Sequence, residues 1–499
     1  MAAGREKRPV DMDCAIFSGG WFHAHLTASP TTIVELLPRK NIVRSLIAVN
    51  MATAPSESEV TDLAIASVLA ELGSISSLQP EQLEALKSFV GGKDVLAFLP
   101  TGVGKDLVYQ IAPMVFEKLG RVNPIVIVVT PQVALIKEDQ NTEDLHLQPV
   151  DLMENQIREA TAIGVKAAQL GGSDDEGIAQ GEFQLVLGGP ERWVLEDEWR
   201  EMLSSAVYQE NLAGVVVDEA HLAYKWSQQS KYQSELREAF YRLGELRSLV
   251  PEGTPILALT ESADLKSVQK VRMVLEMEDA HVVRASPNRR NVRLGLVPFP
   301  RDKTVSLGWI IDEIRDKGLD MNCIIIYCRH LKAVNKVFSH LKYELGADAW
   351  VGEKVSSNML IGIYFSATLD KYKDRIRKSL VGEGSCRVVV ATGALGNGID
   401  FMNVGKVVMY GPPENMENIL QMVSRAGRDG KKADAVLYYK DEQLAKVDKA
   451  VKAFVEAKSG ETCIRKRLLG HFEDSPVSVE PDHNCCTSCH RACKCAGDR

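Results

Sequence analysis

Short runs of apolar, often β-branched residues recur along the chain between segments with helical periodicity. The runs contain almost no polar positions, which is typical of strands buried on both faces of a parallel sheet. We predict strands of a first series at Val95–Leu99, Ile125–Thr130, Leu185–Leu187, Gly214–Val217 and Ile256–Leu259. We predict strands of a second series at Cys323–Tyr327, Arg387–Ala391, Lys406–Tyr410 and Ala435–Tyr439. Two α/β units joined near Ser286–Asn291 are the simplest interpretation of this pattern.

The rest of the chain suggests four segments. Residues 1–70 have little readable periodicity and form a poorly defined N-terminal extension, with a linker-like composition at Ala52–Glu59. The first α/β domain is assigned to residues 71–285 and the second to 286–445. Residues 446–499, called the cysteine module below, follow them. A chain of 499 residues is long enough for this arrangement.

Composition narrows the class of protein only a little. The chain is 45% hydrophobic and 25% charged, as in an ordinary soluble globular protein. It has no apolar stretch long enough to span a bilayer, and no signal-peptide core follows the basic residues near its start. The net charge of −8 does not indicate a nucleic-acid binder, but a local basic groove on an acidic protein can still be one.

A candidate phosphate-binding loop follows the first predicted strand. Val95–Leu99 runs into Pro-Thr-Gly-Val-Gly-Lys, and a helix-like segment comes next, so backbone N–H groups and a helix N-terminus can point at phosphate oxygens. Lys105 is expected to reach the β- and γ-phosphates. Asp106 stands where a Mg²⁺-binding Ser or Thr is usual, and its charge should weaken nucleotide binding. The alternative is a tight turn without a nucleotide. The candidate nucleotide-binding residues here are Thr101, Gly102, Val103, Gly104, Lys105 and Asp106.

An acidic motif, Asp-Glu-Ala-His, directly follows the predicted strand Gly214–Val217. Ligands of parallel sheets bind at the carboxyl ends of the strands, where these acids would lie. Asp218 is predicted to hold Mg²⁺, and Glu219 to orient and polarise the attacking water. His221 is expected to connect this site with the neighbouring domain. The alternative is a solvated strand end.

The segment Gln421–Gly430 carries two arginines three positions apart. Arg425 and Arg428 can both face a γ-phosphate held by the other domain and stabilise the charge that develops during phosphoryl transfer. The alternative is a solvated basic loop.

Together these motifs resemble the RecQ family of superfamily-two helicases, from Leu78 to the end of the chain. The resemblance implies two tandem RecA-like parallel-sheet domains plus a small helical zinc-binding module, with ATP and Mg²⁺ as cofactors. In Leu78–Gln82, which resembles the adenine-reading motif of the family, Gln82 would bind the base. Gln421, in the final motif, is a further expected nucleotide-binding residue.

The same resemblance implies single-stranded and partly duplex DNA as partners. Pro-Glu-Arg at residues 190–192 resembles a segment that touches the DNA backbone, which makes Arg192 a candidate. Trp226 lies where the family has an aromatic-rich DNA-sensing loop, although it could instead pack into the core. Thr392 belongs to a segment close to the family's motif V. A nuclear location is expected from this function alone, no membrane is implied, and the protein partners are unknown.

Four positions depart from the family pattern: Asp106, Glu261 in place of a small residue, Phe365 in place of histidine and Ser424 in place of glycine. Two hypotheses therefore stay open, an ATP-dependent 3′–5′ DNA helicase and a RecQ-like DNA-binding protein with weak or lost ATPase activity. An RNA helicase of the DEAH type would share the core chemistry. The cysteine module and the Gln421–Gly430 segment argue against that third possibility.

Six of the ten cysteines lie between Cys463 and Cys495, which favours a metal over disulfides in an intracellular protein. Cys486 and Cys489 have zinc-knuckle spacing, and Cys463 supplies a third sulfur. The fourth Zn²⁺ ligand is ambiguous: His483 is preferred, with Cys485 and Cys493 also in reach. Free thiols on a tail are the alternative.

Overall fold

The two series of apolar runs form two parallel sheets in the computed structural model. The structure describes residues 56–73, 75, 77–100, 103–130, 151–222, 234–261, 265–300, 307–396, 403–456, 463–473 and 475–493.

The first sheet has seven strands in the order β3-β4-β2-β5-β6-β1-β7, and every pairing in it is parallel. β1, β2, β4, β5 and β6 are buried along their whole length, because helices cover both faces of the sheet. The strands are β1 Val95–Phe98, β2 Ile125–Val129, β3 Ala167–Gln169, β4 Leu185–Gly188, β5 Leu212–Val217, β6 Ile256–Thr260 and β7 His281–Arg284.

Helices surround the first sheet and fill the connections between its strands. They are α1 Glu57–Leu72, α2 Pro80–Val90, α3 Lys105–Gln110, α4 Ala112–Lys118, α5 Asp151–Ala162, α6 Asp175–Ala179, α7 Pro190–Leu195, α8 Asp197–Leu203, α9 Ala206–Asn211, α10 Ser234–Tyr241, α11 Leu246–Leu249 and α12 Leu265–Val274.

Most of helix α1 lies within residues 1–70, the N-terminal extension that the sequence leaves poorly defined, and the helix ends at Leu72. Ala64, Ile65 and Val68 are buried in the same core as the apolar faces of α2 and α4. The first α/β unit therefore includes residues that precede position 71. The weak periodicity of α1 hid it, because apolar side chains also occur on its exposed face, such as Leu63.

The second sheet has six parallel strands in the order β10-β11-β9-β12-β13-β8. Its strands are β8 Val292–Pro298, β9 Cys323–Cys328, β10 Ile361–Tyr364, β11 Val388–Ala391, β12 Val404–Tyr410 and β13 Ala433–Tyr439. The helices that accompany them are α13 Gly308–Lys317, α14 Leu331–Leu345, α15 Asp370–Leu380, α16 Met416–Val423 and α17 Asp441–Leu444.

The described part of the cysteine module packs against the edge of the second sheet. Its helices are α18 Lys449–Glu456, α19 Ile464–Leu469, α20 Asp482–Cys485 and α21 Thr487–Ala492. A parallel β-bridge joins Cys486 to Leu294 of β8, so the module extends the sheet by one position. Two tandem RecA-like parallel-sheet domains are the fold that the sequence predicts, and this prediction is confirmed. Among the described helices, none combines the length and the apolar character that crossing a membrane requires.

Candidate active site

Three loops converge because β5, β6 and β1 are neighbours in the first sheet. The carboxyl ends of parallel strands lie at the same edge, so the phosphate-loop segment after β1, the acidic motif after β5 and Glu261 after β6 meet there. Leu99 is tied to this edge by a hydrogen bond from its N–H to the carbonyl of Thr260, 2.9 Å. Chain topology therefore brings together acidic and basic groups that are far apart in sequence.

Lys105 lies at the centre of this cluster. Its Nζ is 2.5 Å from Glu219 Oε1 and 3.0 Å from Asp218 Oδ1. Burial lowers the pKa of Lys105, but the carboxylates of Asp218 and Glu219 outweigh it, and the pKa is raised well above its usual value. The lysine is therefore a cation held at the start of helix α3, where a phosphate group would arrive.

The acidic motif is fixed by a hydrogen bond from its own backbone and by a contact with Thr260 of β6. Asp218 is 2% exposed, and its Oδ1 accepts a hydrogen bond of 2.8 Å from the N–H of Glu219. Glu219 has a positive φ of 49°, which is uncommon for a residue with a side chain. His221 Nδ1 lies 3.0 Å from Thr260 Oγ1 and 3.3 Å from Glu219 Oε2. The motif is thus linked to the strand that carries Glu261.

Two further carboxyl groups, those of Asp106 and Glu261, lie close enough to affect the pKa values in this site. Burial, with the nearby charge of Asp218, raises the pKa of Asp106 to about 7. Burial also raises the pKa of Glu219 to about 8; Lys105 opposes this shift, while Glu261 and Asp218 add to it. Both sequence departures on this side of the site therefore act electrostatically on the groups predicted to bind nucleotide and Mg²⁺.

Gln82 contacts the phosphate loop directly. Its Nε2 donates to the carbonyls of Val103 at 2.8 Å and Gly104 at 2.7 Å, and its Oε1 accepts from the N–H of Gln79 at 2.8 Å. Gly104 has a left-handed φ of 74°, which suits glycine at the start of α3. Thr101 and Gly102 lie outside the described residues.

The second domain contributes the loop after α16, residues 424–431, called the arginine loop below. Asn415 caps α16 by accepting a hydrogen bond from the N–H of Asn418, 2.8 Å. Arg425 is 3% exposed, and the charges of Arg425 and Arg428 both act on the hydroxyl of Tyr327 near the end of β9. The N–H of Gly427 donates to the carbonyl of Val404, the first residue of β12, at 2.8 Å, so the arginine loop lies at the amino edge of the second sheet, just before β13.

One pocket is lined by both domains and by the segment that connects them. Pro100 and Glu261 come from the first domain, and Gln421 and Ser424 come from the second. The pocket is lined by Pro100, Glu261, Pro287, Arg289, Leu420, Gln421 and Ser424. The phosphate-loop edge of the first sheet and the start of the arginine loop thus face a common cleft.

Two of the three residues predicted to contact DNA belong to the described part of the chain, and neither of them lines the pocket. Arg192, on α7, donates a hydrogen bond of 3.2 Å to Glu196 Oε2. Thr392 is buried just after β11, and its N–H donates to the carbonyl of Tyr364, 3.2 Å away. Trp226 lies outside the described residues.

Four sulfurs lie close together in the cysteine module. The Sγ atoms of Cys463, Cys485, Cys486 and Cys489 are all within 4.8 Å of one another. Zinc binds thiolates at about 2.3 Å in a tetrahedral arrangement, and four cysteines at this spacing suit it. His483 is not part of the group: its Nδ1 is 3.9 Å from Cys493 Sγ. The geometry favours Cys485, the alternative in the sequence analysis, over the preferred His483.

Two residues that the sequence analysis did not single out hold the arginine loop. Arg289 and Asn291 lie between the sheets, in the stretch Asn-Arg-Arg-Asn-Val-Arg, and donate hydrogen bonds to carbonyls of the loop. The only feature of the sequence that sets this stretch apart is its high content of polar residues. An ordinary solvated linker has the same composition, so the sequence does not predict that Arg289 and Asn291 bind the arginine loop.

Comparison with known proteins agrees with this architecture. Residues 79–271 match the DEAD/DEAH box helicase family, and residues 309–430 match the helicase conserved C-terminal domain. A solved structure of the DUF1998 helicase MrfA bound to DNA has a TM-score of 0.56 at 18% identity, covering 78% of this chain and 52% of that one. The Mycobacterium smegmatis helicase Lhr bound to ssDNA and AMP-PNP has a TM-score of 0.53 at 16% identity, covering 84% and 50%. These two structures are similar in fold.

The two family matches are both to helicase domains, one in each of the two α/β domains. The chain is 26% identical to the ATP-dependent DNA helicase hus2/rqh1 of Schizosaccharomyces pombe over 449 residues, which cover 84% of this chain and 30% of that protein. It is also 26% identical to the ATP-dependent DNA helicase RecQ of Pasteurella multocida over 433 residues, 82% of this chain and 60% of that one. The chain is thus similar to RecQ-type DNA helicases, and it spans less than two thirds of the length of these relatives.

Proposed function

We propose that the protein is an ATP-dependent 3′–5′ DNA helicase that hydrolyses ATP in the cleft between its two sheets. The observation that carries the proposal is the shared pocket. Glu261, which acts electrostatically on Lys105 and Glu219, lines it from one side, and Gln421 and Ser424 line it from the other. A triphosphate held by the first domain would then lie within reach of the arginine loop.

The proposed roles follow from the chemistry of each group. Lys105 would leave its carboxylate partners to bind the β- and γ-phosphates, and Glu219 would orient the attacking water. Asp218 is the candidate Mg²⁺ ligand, where the ion would neutralise phosphate charge. Arg425 and Arg428 would stabilise charge on the transferred group from the opposite domain.

Other candidate residues complete the nucleotide site. The phosphate loop, with Thr101, Gly102, Val103 and Gly104, would contribute backbone N–H groups. Gln82 and Gln421 would contact the nucleotide from the two domains, and His221 would connect the acidic motif with β6. The contact between Gln82 and the loop supports this, because one side chain already joins the segment proposed to bind the base to the phosphate loop.

We propose that the protein moves along single-stranded DNA. Arg192, Thr392 and Trp226 are the proposed DNA contacts, and closure of the cleft around ATP followed by release after hydrolysis would move a single strand across both domains. Phosphate contacts should dominate, so binding should weaken as salt is added. The 3′–5′ direction is carried over from the family.

We further propose that the cysteine module binds one structural zinc ion through Cys463, Cys485, Cys486 and Cys489. The support is the donor set: four thiols, two of them fully buried, converge on one point. Bonds from zinc to the four sulfurs would crosslink the start of α19 to the segment around α20 and α21.

DNA-stimulated ATP hydrolysis tests the main proposal. We expect single-stranded DNA to stimulate hydrolysis, Lys105→Ala to abolish it, and Lys166→Ala, an exposed lysine of the same domain, to leave it intact. Duplexes with a single-stranded tail at either the 3′ or the 5′ end then test polarity. Equal hydrolysis by the wild type and Lys105→Ala would contradict the ATPase proposal.

A second candidate function is DNA binding with weak or absent ATPase activity. The extra carboxyl groups of Asp106 and Glu261 favour it, because they oppose the approach of a negatively charged nucleotide. This candidate predicts DNA affinity without Lys105-dependent turnover. Comparing stimulation by single-stranded DNA and RNA in the same assay separates the DNA helicase from an RNA helicase.

A further inference from the structure

The segment between the two sheets, residues 285–291 and called the linker below, is bonded to the arginine loop. Arg289 donates to the carbonyl of Gly427 at 2.7 Å, and more weakly to those of Ser424 at 3.3 Å and Ala426 at 3.4 Å. Ser424 and Ala426 are the neighbours of Arg425. One linker side chain thus fixes the backbone on both sides of a proposed catalytic arginine.

Asn291 adds a second attachment at the far end of the same loop. Its Nδ2 donates to the carbonyls of Gly427 and Lys431, both at 2.7 Å. Gly427 has a φ of 58°, and a Cβ at this position would overlap the Asn291 amide. The loop between Gly427 and Lys431, which carries Arg428, is therefore built around the linker side chain.

The other side of the linker is bonded to the cysteine module through Arg465. This side chain is 2% exposed, and it donates to Asn288 Oδ1 at 2.8 Å and to the carbonyl of Arg289 at 3.0 Å. It also donates to the carbonyl of Cys485 at 3.1 Å and to that of Val292. One guanidinium joins a candidate zinc ligand to the linker and to the first residue of β8.

The charge of Arg465 explains why this junction would depend on the metal. The four acceptors named above are uncharged oxygens, and a buried cation is costly unless an opposite charge lies nearby. Four thiolates around Zn²⁺ carry a net negative charge, because four single negative charges exceed the two positive charges of the ion. Cys485 would carry part of this charge, and its carbonyl already contacts Arg465.

We propose that Arg465 is a positioning residue through which the metal-loaded cysteine module holds the linker, and with it the arginine loop, in the geometry that ATP hydrolysis requires. This inference rests on the proposed ATPase function. A continuous series of hydrogen bonds runs from the carbonyl of Cys485 through Arg465 to the linker, and from Arg289 of the linker to the arginine loop. Arg465 acts through Arg289 and Asn291 and does not touch the nucleotide.

The test uses the full chain with Arg465→Gln, and with Lys466→Gln as the matched control. Lys466 lies on the same helix, but it is exposed, whereas Arg465 is buried against the linker. We expect both variants to retain zinc, measured by metal analysis, and to keep the wild-type ATP KM and DNA affinity. Only Arg465→Gln should lower kcat, on the order of tenfold to a hundredfold, because the arginines are misplaced.

Amide hydrogen exchange of residues 424–431 gives a readout that does not require turnover. Exchange there should become faster in Arg465→Gln and in the zinc-depleted wild type, and should stay unchanged in Lys466→Gln. Absence of Lys105-dependent hydrolysis in the wild type would reject the proposed ATPase, while the exchange experiment would still test the junction. A zinc-loaded Arg465→Gln protein with normal exchange and normal kcat would overturn the inference.

Asn288→Ala provides a second route if Arg465→Gln does not fold. This variant removes the side-chain acceptor on the linker, Asn288 Oδ1, and changes no residue of the cysteine module. The same faster exchange at residues 424–431 is expected, and its absence in a folded, zinc-loaded protein would equally overturn the inference.

Discussion

At the scale of single residues, the first domain combines one lysine with an unusual number of acids. Asp106 and Glu261 add two carboxyl groups to the Asp218–Glu219 pair, and the pKa of Asp106 is raised to about 7 chiefly by burial. A nucleotide brings several more negative charges to this place. Its affinity should therefore depend strongly on how much of the acidity Mg²⁺ and Lys105 offset.

We predict that Asp106→Ser raises the affinity for Mg²⁺–ATP by about tenfold at pH 8, above the raised pKa of about 7, because it removes a carboxyl group that is charged there and introduces a hydroxyl that can bind the ion. Equilibrium titration with a fluorescent ATP analogue measures the change. The exposed Asp279, replaced by Ser, is the control and should leave affinity as it is. Unchanged or weaker affinity in Asp106→Ser would remove this explanation of the position.

Residue-level prediction from sequence works where the motif is local. The positions of Lys105, Asp218 and Glu219 follow from a strand and the few residues after it, and the structure brings all three together. The fourth member of the cysteine cluster is different. His483 and Cys485 lie only two positions apart, so the spacing cannot show which of them joins the other three cysteines. The fold around α20 decides this, and it places Cys485 in the cluster.

At the scale of elements, the sequence predicts the central strands well and the edge strands poorly. β2 and β9 are fully buried and read as unbroken apolar runs. β3 and β7 lie at the edges of the first sheet, with partly exposed positions, and the apolar pattern did not predict them. An edge strand lacks a neighbour on one side, so its side chains and backbone stay partly in water and the apolar signal weakens.

Gly214 in β5 illustrates how tightly a helix is packed on the first sheet. A Cβ at this position would overlap the ring of Phe89 on α2. We predict that Gly214→Ala lowers the free energy of unfolding by about 1–3 kcal/mol, since the ring cannot move easily in a filled core. Thermal and urea unfolding measure it. Gly308→Ala, where a Cβ would meet open space, should be close to neutral, and equal effects of both changes would contradict the packing argument.

The cysteine cluster allows a sharp comparison between the two candidates for the fourth ligand. We predict that Cys485→Ser lowers zinc content and thermal stability, whereas His483→Ala leaves both near the wild type, because only Cys485 lies with the other three sulfurs. Metal analysis of the purified full chain reports the difference. The reverse pattern would assign the ligand to His483.

At the scale of the whole molecule, function depends on groups that the chain brings together over long distances. Arg289 and Gly427 are bonded although 138 positions separate them, and Arg465 contacts Asn288 across 177 positions. No periodicity or spacing encodes such pairs, since each partner is an ordinary polar residue in its own segment. The sequence therefore predicts the two domains and their motifs, but not the contacts that join the motifs.

Arg428 tests whether the two domains act on one nucleotide. We predict that Arg428→Ala lowers kcat for DNA-stimulated hydrolysis by about a hundredfold or more while ATP affinity changes little, because the guanidinium would act mainly in the transition state. Steady-state kinetics with nucleotide titration separate the two effects. Arg315→Ala, an exposed arginine of the same domain, is the control, and an equal loss in both variants would argue against catalysis across the cleft.

The bridge between Leu294 and Cys486 has a consequence for the solution behaviour of shortened chains. β8 is the last strand of its sheet, and the cysteine-containing segment occupies part of its outer side. A protein truncated after α17 would expose unpaired N–H and C=O groups along that strand, the kind of surface on which a second molecule can add its own strand. Concentration-dependent oligomers in sedimentation would then reflect an uncapped sheet and not a physiological assembly.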